Sequence, residues 1–275
     1  MRNILLLGLF VLSCVSLSAE VKTETFIYKN TNTTNLKMMK VTSDKVEKNA
    51  PAIVLFFGGG WSGGKLSQLK PQAEIFAENG VVAFLADYRL AKRDKATPAI
   101  SIEDAKSAMR YLRENAKELG INPKKIIASG ASAGGHLASA TAFITEFDCP
   151  DDNLKISPVP NAMILFNPVS DTSPEGYYPQ SVKNFGDWKR LSPLHHIEKT
   201  SPPAIFFVGT KDIHVPVASA QAFKTAVEGA GARCDLKIYE NCTHGFFNNY
   251  KYEGKYFKIT MDEAIKFLKE IKFIK

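Results

Sequence analysis

The sequence predicts an α/β protein, a three-layer sandwich in which helices cover both faces of a mostly parallel central sheet. Short, continuous apolar runs recur along the chain, as strands buried on both faces require. Between these runs lie segments whose apolar residues step by three or four, which is typical of a helix with one buried face. The repeated alternation of the two patterns indicates strand-helix-strand units and therefore parallel strands.

The predicted strands begin with a hairpin and continue as buried runs. Residues 25–28 and 36–41 form the hairpin. Six apolar runs then predict strands at 53–57, 81–85, 126–128, 163–166, 204–208 and 236–239.

The clearest helix lies between residues 102 and 119, where Ile102, Met109 and Leu112 share one face and Gly120 ends the helix. Shorter helices are predicted at 73–78, 217–228 and 261–271. Residues 169–203 have no clear periodicity, and we expect them to form an insertion or small cap that carries substrate contacts.

Length and composition indicate one catalytic domain over residues 20–275, because 45% hydrophobic and 23% charged residues are typical of a globular protein. Residues 1–19 predict a signal peptide, with a basic start, an apolar run and a small residue at Ala19. We therefore expect a secreted or periplasmic protein. The segment ending at Cys14 also resembles a lipoprotein cleavage box, which leaves lipid anchoring as the less favoured alternative.

The apolar segments, the charge and the cysteine content argue against several classes of protein. The apolar run before Ala19 is shorter than the roughly 20 residues of a spanning helix, so no stable membrane insertion is expected. The formal charge is +7, but the lysines are spread along the chain, which argues against a nucleic-acid partner. Cys149, Cys234 and Cys242 cannot form a full disulfide framework, and a straight segment separates the last two by about 26 Å.

A nucleophile motif follows the predicted strand at 126–128. Gly130-Ala131-Ser132-Ala133-Gly134 has the form G-x-S-x-G, with an apolar strand before it and a small-residue helix after it. A sharp strand-to-helix turn of this kind holds the serine above the sheet, at a helix N-terminus that favours developing negative charge. The alternative is a Gly/Ser turn without chemical function.

With this motif the chain resembles the α/β-hydrolase family, and within it the esterase and lipase group related to hormone-sensitive lipase. Phe57-Gly58-Gly59-Gly60-Trp61 resembles that group's H-G-G-G-W loop, with Phe57 where histidine is usual. The resemblance implies an oxyanion hole made by the backbone N–H groups of Gly59, Gly60 and Ala133.

The family order of catalytic residues is Ser, Asp, His, with each residue on a loop after a strand. Asp212 follows the predicted strand at 204–208, and His244 follows the last strand in a His-Gly-Phe turn. We expect His244 to transfer the Ser132 proton and Asp212 to orient the imidazole. Asp235 is the rival for the acid, and His214 is a rival loop contact.

The remaining candidates concern the substrate. Trp61, Tyr88, His136 and Tyr178 are predicted substrate contacts. Tyr177 and Trp188 are further loop aromatics that could stack on a sugar ring or line an acyl pocket. His136 also fits packing beneath the pocket, and Tyr88 belongs to a D-Y-R segment that resembles the family's structural buttress. His195 and His196 are expected to be packing residues. No metal-ligand spacing occurs, and no metal or cofactor is expected.

The chain also resembles secreted bacterial esterases that remove acetyl groups from plant or algal polysaccharides. The predicted substrate is therefore a small-molecule, oligosaccharide or polysaccharide ester with a short acyl group. A feruloyl or general short-chain carboxylesterase is the alternative enzyme, and a non-catalytic binding module on the same fold is the alternative of another class. The sequence does not predict the oligomeric state.

Overall fold

The computed structural model describes residues 20–275, so the predicted signal peptide at 1–19 lies outside the described residues. The described chain contains one eight-stranded sheet with the order β1-β2-β4-β3-β5-β6-β7-β8. The strands are β1 (Val21–Asn30), β2 (Asn35–Ser43), β3 (Ala50–Phe56), β4 (Val82–Ala86), β5 (Ile121–Ala131), β6 (Ala162–Phe166), β7 (Ala204–Lys211) and β8 (Cys234–Thr243).

The hairpin β1–β2 is antiparallel and joins β4 antiparallel, whereas all pairs from β4 through β8 are parallel. The helices are α1 (Lys70–Glu78), α2 (Ala91–Asp94), α3 (Pro98–Glu114), α4 (Ala116–Leu119), α5 (Ala133–Phe143), α6 (Gln180–Phe185), α7 (Val217–Gly229) and α8 (Lys255–Glu270).

Helices cover both faces of the sheet, and the strand sequences explain why. Val54 and Phe56 of β3 pack into a core with α3, α5 and α7, while the alternating Ile53 and Leu55 pack into a second core with α1 and α8. Successive side chains of a strand point to opposite faces, so a strand with a helical layer on each face must be apolar at every position. The predicted α/β three-layer class is confirmed.

Element boundaries differ from the predictions where local signals were weak. The predicted helix at 102–119 is two helices, α3 and α4, separated at Asn115, and Gly120 ends the second in the left-handed conformation (φ 75°). The C-terminal helix α8 starts at Lys255, directly after Gly254, instead of at residue 261. Residues 169–203 contain α6 and two short 3₁₀ turns, Trp188–Leu191 and Pro193–His196.

The parallel strands bring their following loops to one edge of the sheet, where ligands of open α/β sheets bind. These loops begin after β3, β5, β6, β7 and β8, and they carry Gly58, Ser132, Asn167, Asp212 and His244. None of the helices within residues 20–275 has the length and apolarity needed to cross a membrane.

Candidate active site

Ser132 sits in a strained turn between β5 and α5. Its backbone has φ 55° and ψ −120°, a region that L-residues rarely adopt. The turn is held by the Ser132 N–H, which donates to the carbonyl of Phe166 at 3.0 Å. A side chain on Gly130 would overlap the backbone of Gly134, and one on Gly134 would overlap the carbonyls of Phe56 and Phe57. The two glycines of the motif are therefore sterically required.

The structure brings Ser132, His244 and Asp212 together in a chain of hydrogen bonds. The Ser132 Oγ lies 2.9 Å from His244 Nε2, and His244 Nδ1 lies 2.9 and 2.8 Å from the two carboxylate oxygens of Asp212. Because Asp212 can only accept, Nδ1 carries the proton and Nε2 is free to accept the serine hydroxyl proton. This tautomer is the one that a general base for Ser132 requires.

Asp212 is held in place from its own loop. Its side chain is completely buried, and Oδ1 also accepts the backbone N–H groups of His214 and Val215, each at 2.9 Å. These bonds fix the orientation of the carboxylate toward the imidazole. Asp235, the rival acid, pairs instead with Arg233 at the start of β8.

The glycine loop after β3 lines the same cavity as Ser132. The Gly58 N–H donates to Gln68 Oε1 at 2.6 Å, which holds the start of the loop. Phe57, at the position where the family has histidine, is buried and stacks on Tyr88 with ring centroids 4.4 Å apart. The Tyr88 hydroxyl donates to the Phe57 carbonyl at 2.8 Å. Aromatic packing and this bond stabilise the loop here.

The amides predicted for the oxyanion hole lie around the serine. Gly59 and Gly60 line the cavity, and both have positive φ, 138° and 61°. Ala133 is the first residue of α5, so its N–H belongs to the group of amides at a helix start that have no partner within the helix. This arrangement can stabilise an oxyanion formed at a carbonyl beside Ser132.

The cavity at Ser132 has a volume of about 340 Å³. Ser132, His244 and the glycine loop at Gly58, Gly59 and Gly60 line it. The other lining residues are mostly polar: Gln68, Ala131, Asn167, Tyr177, His214, Gly245, Phe247, Asn248, Tyr250 and Lys251. Tyr250 is 76% exposed, so it stands at the rim.

Asn167 follows β6 and contacts the histidine loop at two points. Its Oδ1 accepts the Gly245 N–H at 2.8 Å, and its Nδ2 lies 3.5 Å from His244 Nε2. The residue is buried and has φ 36°. Asn167 therefore helps to set the position of the loop that carries His244.

His214 packs against the imidazole of His244. Their ring centroids are 4.9 Å apart and the rings are nearly perpendicular, while Tyr177 also packs on His214, with ring centroids 5.5 Å apart. Burial and the neighbouring His244 lower the pKa of His214, although Asp212 opposes the change. A neutral His214 beside His244 avoids repulsion when the latter accepts a proton.

None of the four predicted substrate contacts lines the cavity, and three of them are buried away from it. Trp61, Tyr88 and His136 have side chains that are almost or completely inaccessible. Trp61 Nε1 donates to His136 Nδ1 at 3.2 Å, and the His136 ring reaches the Leu191 carbonyl at 2.7 Å. These residues pack beneath the site. Tyr178 is half-buried beside Lys183 and does not line the cavity.

Three residues that line the site were not predicted from the sequence: Gln68, Asn167 and Lys251. Tyr177, one of the predicted loop aromatics, and His214, the predicted loop contact, also line the cavity. Of the loop aromatics predicted in the segment 169–203, Tyr177 lines the cavity, whereas Tyr178 and Trp188 do not. Asn167 carries a signal that could have been used, since it directly follows a buried strand at the functional edge of a parallel sheet. His195 and His196 bond to Ser192 and to the Lys189 carbonyl.

Three cysteines are present in the described part of the chain. Cys149, Cys234 and Cys242 are all buried free thiols there.

Comparison with known families gives two adjoining matches. The BD-FAE family model matches residues 39–175, and the dienelactone hydrolase family model matches residues 173–271. Together the two matches extend over the glycine loop, the serine elbow and the loops of Asp212 and His244.

Solved structures and curated sequences include esterases similar to this chain. Esterase 2 of Thermogutta terrifontis, phosphoramylated by tabun, is 41% identical; the match covers 93% of this chain and 96% of that chain, with a TM-score of 0.85. Esterase LipQ of Mycobacterium tuberculosis is 28% identical over 67% of this chain and 47% of its own length. An acetylxylan esterase of Xylanibacter ruminicola is 29% identical over 71% and 41%. The chain thus spans less than half the length of these two curated relatives.

Proposed function

The chain belongs to the α/β-hydrolase family, in the esterase and lipase group related to hormone-sensitive lipase, and from this premise we propose that it hydrolyses carboxylic esters with Ser132 as nucleophile. The observation that carries the proposal is the continuous chain of hydrogen bonds from Ser132 Oγ through His244 to the buried Asp212 carboxylate, where Ser132 and His244 line the same cavity as the glycine loop.

The proposed reaction has two halves. His244 Nε2 takes the proton of Ser132 as Oγ attacks the ester carbonyl, and then gives it to the alcohol oxygen as the acyl-enzyme forms. Water enters next, His244 removes its proton, and the acyl group leaves as a carboxylic acid while Ser132 regains its hydrogen. Asp212 stabilises the imidazolium in both halves, because its carboxylate is desolvated and aimed at Nδ1.

The developing oxyanion would be held by the amides of Gly59, Gly60 and Ala133. Backbone donors suit this task because they are fixed in advance and need no reorganisation. The Gln68 and Tyr88 hydrogen bonds to Gly58 and Phe57 supply the rigidity of the loop. The proposed chemistry therefore does not depend on a histidine at position 57.

We propose a short acyl group, acetyl in the first instance, and a carbohydrate as the alcohol. The cavity of about 340 Å³ is at the small end of ligand pockets, and the polar side chains of Gln68, His214 and Lys251 in its lining can form hydrogen bonds with a hydroxyl-rich alcohol. Structures of the Thermogutta esterase carry bound propionate or butyrate, and one curated relative is an acetylxylan esterase. A feruloyl or general short-chain esterase remains the alternative that substrate profiling would identify.

The test is kcat/KM across the nitrophenyl esters of acetate, butyrate and octanoate, a feruloyl ester, and acetylated xylan and pectin with acetate release as readout. We expect acetate and butyrate to be preferred and acetate to be released from the polysaccharides. Ser132→Ala should retain at most the roughly 10³- to 10⁴-fold acceleration over water that triad variants keep. Hydrolysis of octanoate esters without any acetate release would contradict the carbohydrate assignment.

A fluorophosphonate probe distinguishes an enzyme from a binding module on the same fold. An activated Ser132 should be labelled covalently, and the Ser132→Ala variant should not be. One solved structure of the Thermogutta esterase is phosphonylated by sarin, so that enzyme can serve as the positive control for labelling. Unlabelled protein with an intact fold would favour the binding module.

We propose further that the enzyme acts outside the cytoplasm. This proposal depends on residues 1–19 of the sequence. N-terminal sequencing of the protein from its native cells should find Glu20 as the first residue. An intact Met1 would contradict the proposal, and a lipid-modified Cys14 would support the lipoprotein alternative.

A further inference from the structure

We propose that Lys251 makes this site selective for esters whose alcohol portion carries a carboxylate, of which an acetylated uronic acid is the simplest carbohydrate example. The inference deepens the proposed ester hydrolysis and rests on it. It concerns the side of the cavity where the alcohol leaves, and it assigns to Lys251 the recognition of a negative charge.

Among the described residues, those that line the cavity carry positive formal charge and no negative formal charge. Lys251 contributes a cationic ammonium group, and over residues 20–275 no Asp or Glu lines this cavity. The nearest catalytic carboxylate, Asp212, is completely covered and already bonded to His244. In the same part of the chain, Lys251 has no carboxylate within 4.0 Å of its ammonium nitrogen. Within the described residues its charge is therefore not paired in a salt bridge.

The position of the ammonium is fixed beside the catalytic histidine. Lys251 Nζ donates to the His244 carbonyl at 2.7 Å, and its backbone N–H donates to the Asn248 carbonyl at 3.0 Å. An ammonium group has three donors, so two remain for a ligand. The tether keeps the charge within the loop 245–251, which forms the cavity wall next to His244.

This wall is where the alcohol must lie. In ester hydrolysis the imidazole delivers its proton to the alcohol oxygen, so that oxygen sits against His244 while the carbonyl oxygen faces the glycine loop. Substituents of the alcohol then extend along the loop that follows His244. A carboxylate there can meet the Lys251 ammonium in a charge-assisted hydrogen bond.

A merely structural lysine is the competing interpretation, because the bond to the His244 carbonyl also orders the loop. The two roles differ in what they do to different substrates. Loss of loop order lowers kcat/KM for every ester by a similar factor, whereas loss of recognition lowers it only for anionic alcohols. The ratio between matched neutral and anionic substrates therefore separates them.

The experiment compares a methyl glucoside with a methyl glucuronoside, each acetylated once at the same ring oxygen. The two substrates differ only at C6, which is a hydroxymethyl group in the first and a carboxylate in the second. Wild-type protein should prefer the glucuronoside ester by about tenfold in kcat/KM at low salt, equivalent to about 1.4 kcal/mol. Lys251→Met should remove the preference, Lys251→Glu should reverse it, and Lys251→Arg should keep most of it. Lys258→Met removes an equal charge from exposed α8 outside the cavity and should leave the ratio unchanged.

Salt provides a second readout that needs no variant. The Debye length falls from about 10 Å at 0.1 M to about 3 Å at 1 M ionic strength, so high salt should reduce the preference in wild-type protein. Equal kcat/KM on both substrates in wild-type protein, or an equal loss on both in Lys251→Met, would overturn the inference while nitrophenyl acetate is still hydrolysed. Failure to hydrolyse nitrophenyl acetate as well would remove the proposed function and the inference together.

Discussion

His136 should make the stability of the protein fall between pH 6.5 and pH 4. The side chain is completely buried on α5, where Nδ1 accepts the indole N–H of Trp61. Nε2 therefore carries the proton and donates to the Leu191 carbonyl at 2.7 Å. One neutral imidazole thus connects the glycine loop, the nucleophile helix and the segment 169–203.

Burial lowers the pKa of His136 from 6.5 to about 4, and the hydrogen bond to the Leu191 carbonyl only partly opposes this change. A difference of about 2.5 in pKa, at about 1.4 kcal/mol for each pKa unit, corresponds to about 3 kcal/mol. Because the folded pKa is lower than the unfolded one, the unfolded chain binds the proton first as pH falls. The contribution is present in full above pH 6.5 and has been lost by about pH 4.

The assay is urea unfolding at pH 7.5, 6.5, 5.5, 4.5 and 4.0 for wild-type protein and His136→Gln. The variant should be less stable at pH 7.5 by about 1–3 kcal/mol, because a glutamine side chain cannot satisfy both the indole N–H of Trp61 and the Leu191 carbonyl in the same geometry. The unfolding free energy of wild-type protein relative to that of the variant should fall by about 3 kcal/mol between pH 7.5 and pH 4, so that the advantage of wild type shrinks or reverses.

Two results would refute this reasoning. A stability difference that stays constant across the pH range would mean that His136 does not titrate differently in the folded and unfolded states. Histidine NMR shifts in the wild-type protein give an independent check that does not rely on the variant. A His136 resonance that titrates near pH 6.5 in the folded protein would be incompatible with the buried neutral ring.

Two further predictions concern the loop and the acid. Gly64→Ala should lower the unfolding free energy by about 2–4 kcal/mol and reduce kcat, because the backbone φ of Gly64 is 136° and a Cβ would overlap the Phe57 ring and the Gly58 carbonyl. Gly63→Ala is the control and should resemble wild type, because a Cβ at Gly63 would have no other atom within 4 Å. Differential scanning calorimetry checks this, and equal melting temperatures for the two variants would contradict it. Asp212→Asn should reduce kcat by about 10⁴-fold with little change in melting temperature, since an amide stabilises the wrong imidazole tautomer; a loss under about tenfold would exclude Asp212 as the orienting acid.

Much of the fold could be predicted because its signals are local. Apolar runs located the buried part of each strand from β3 through β8, since a strand segment covered on both faces is apolar. The polar, partly exposed start of β5 and end of β8 were not predicted. The helix break at Asn115 was not predicted, because both halves continue the same apolar spacing. The early start of α8 was not predicted either, because no residue of this helix before Thr260 is fully buried.

The predicted chemical residues share a different property: each belongs to a short motif at a strand end. Ser132, Asp212 and His244 were selected by these motifs together with the family order of the loops, and His244 lies within hydrogen-bond distance of both Ser132 and Asp212. The predicted substrate contacts Trp61 and Tyr88 were selected for their residue type. Residue type does not reveal whether an aromatic ring faces a cavity or the core behind it.

The amino-acid sequence by itself determined the sheet, the sharp serine turn and the identity of the groups that can exchange a proton, because these depend on neighbours in the chain. Only the tertiary structure decided which side chains surround them. Asn167, Tyr177 and Lys251 meet in one cavity although they come from three separate segments. The physical reason is that burial and the direction of a loop depend on how distant elements pack, and no periodicity along the chain records that.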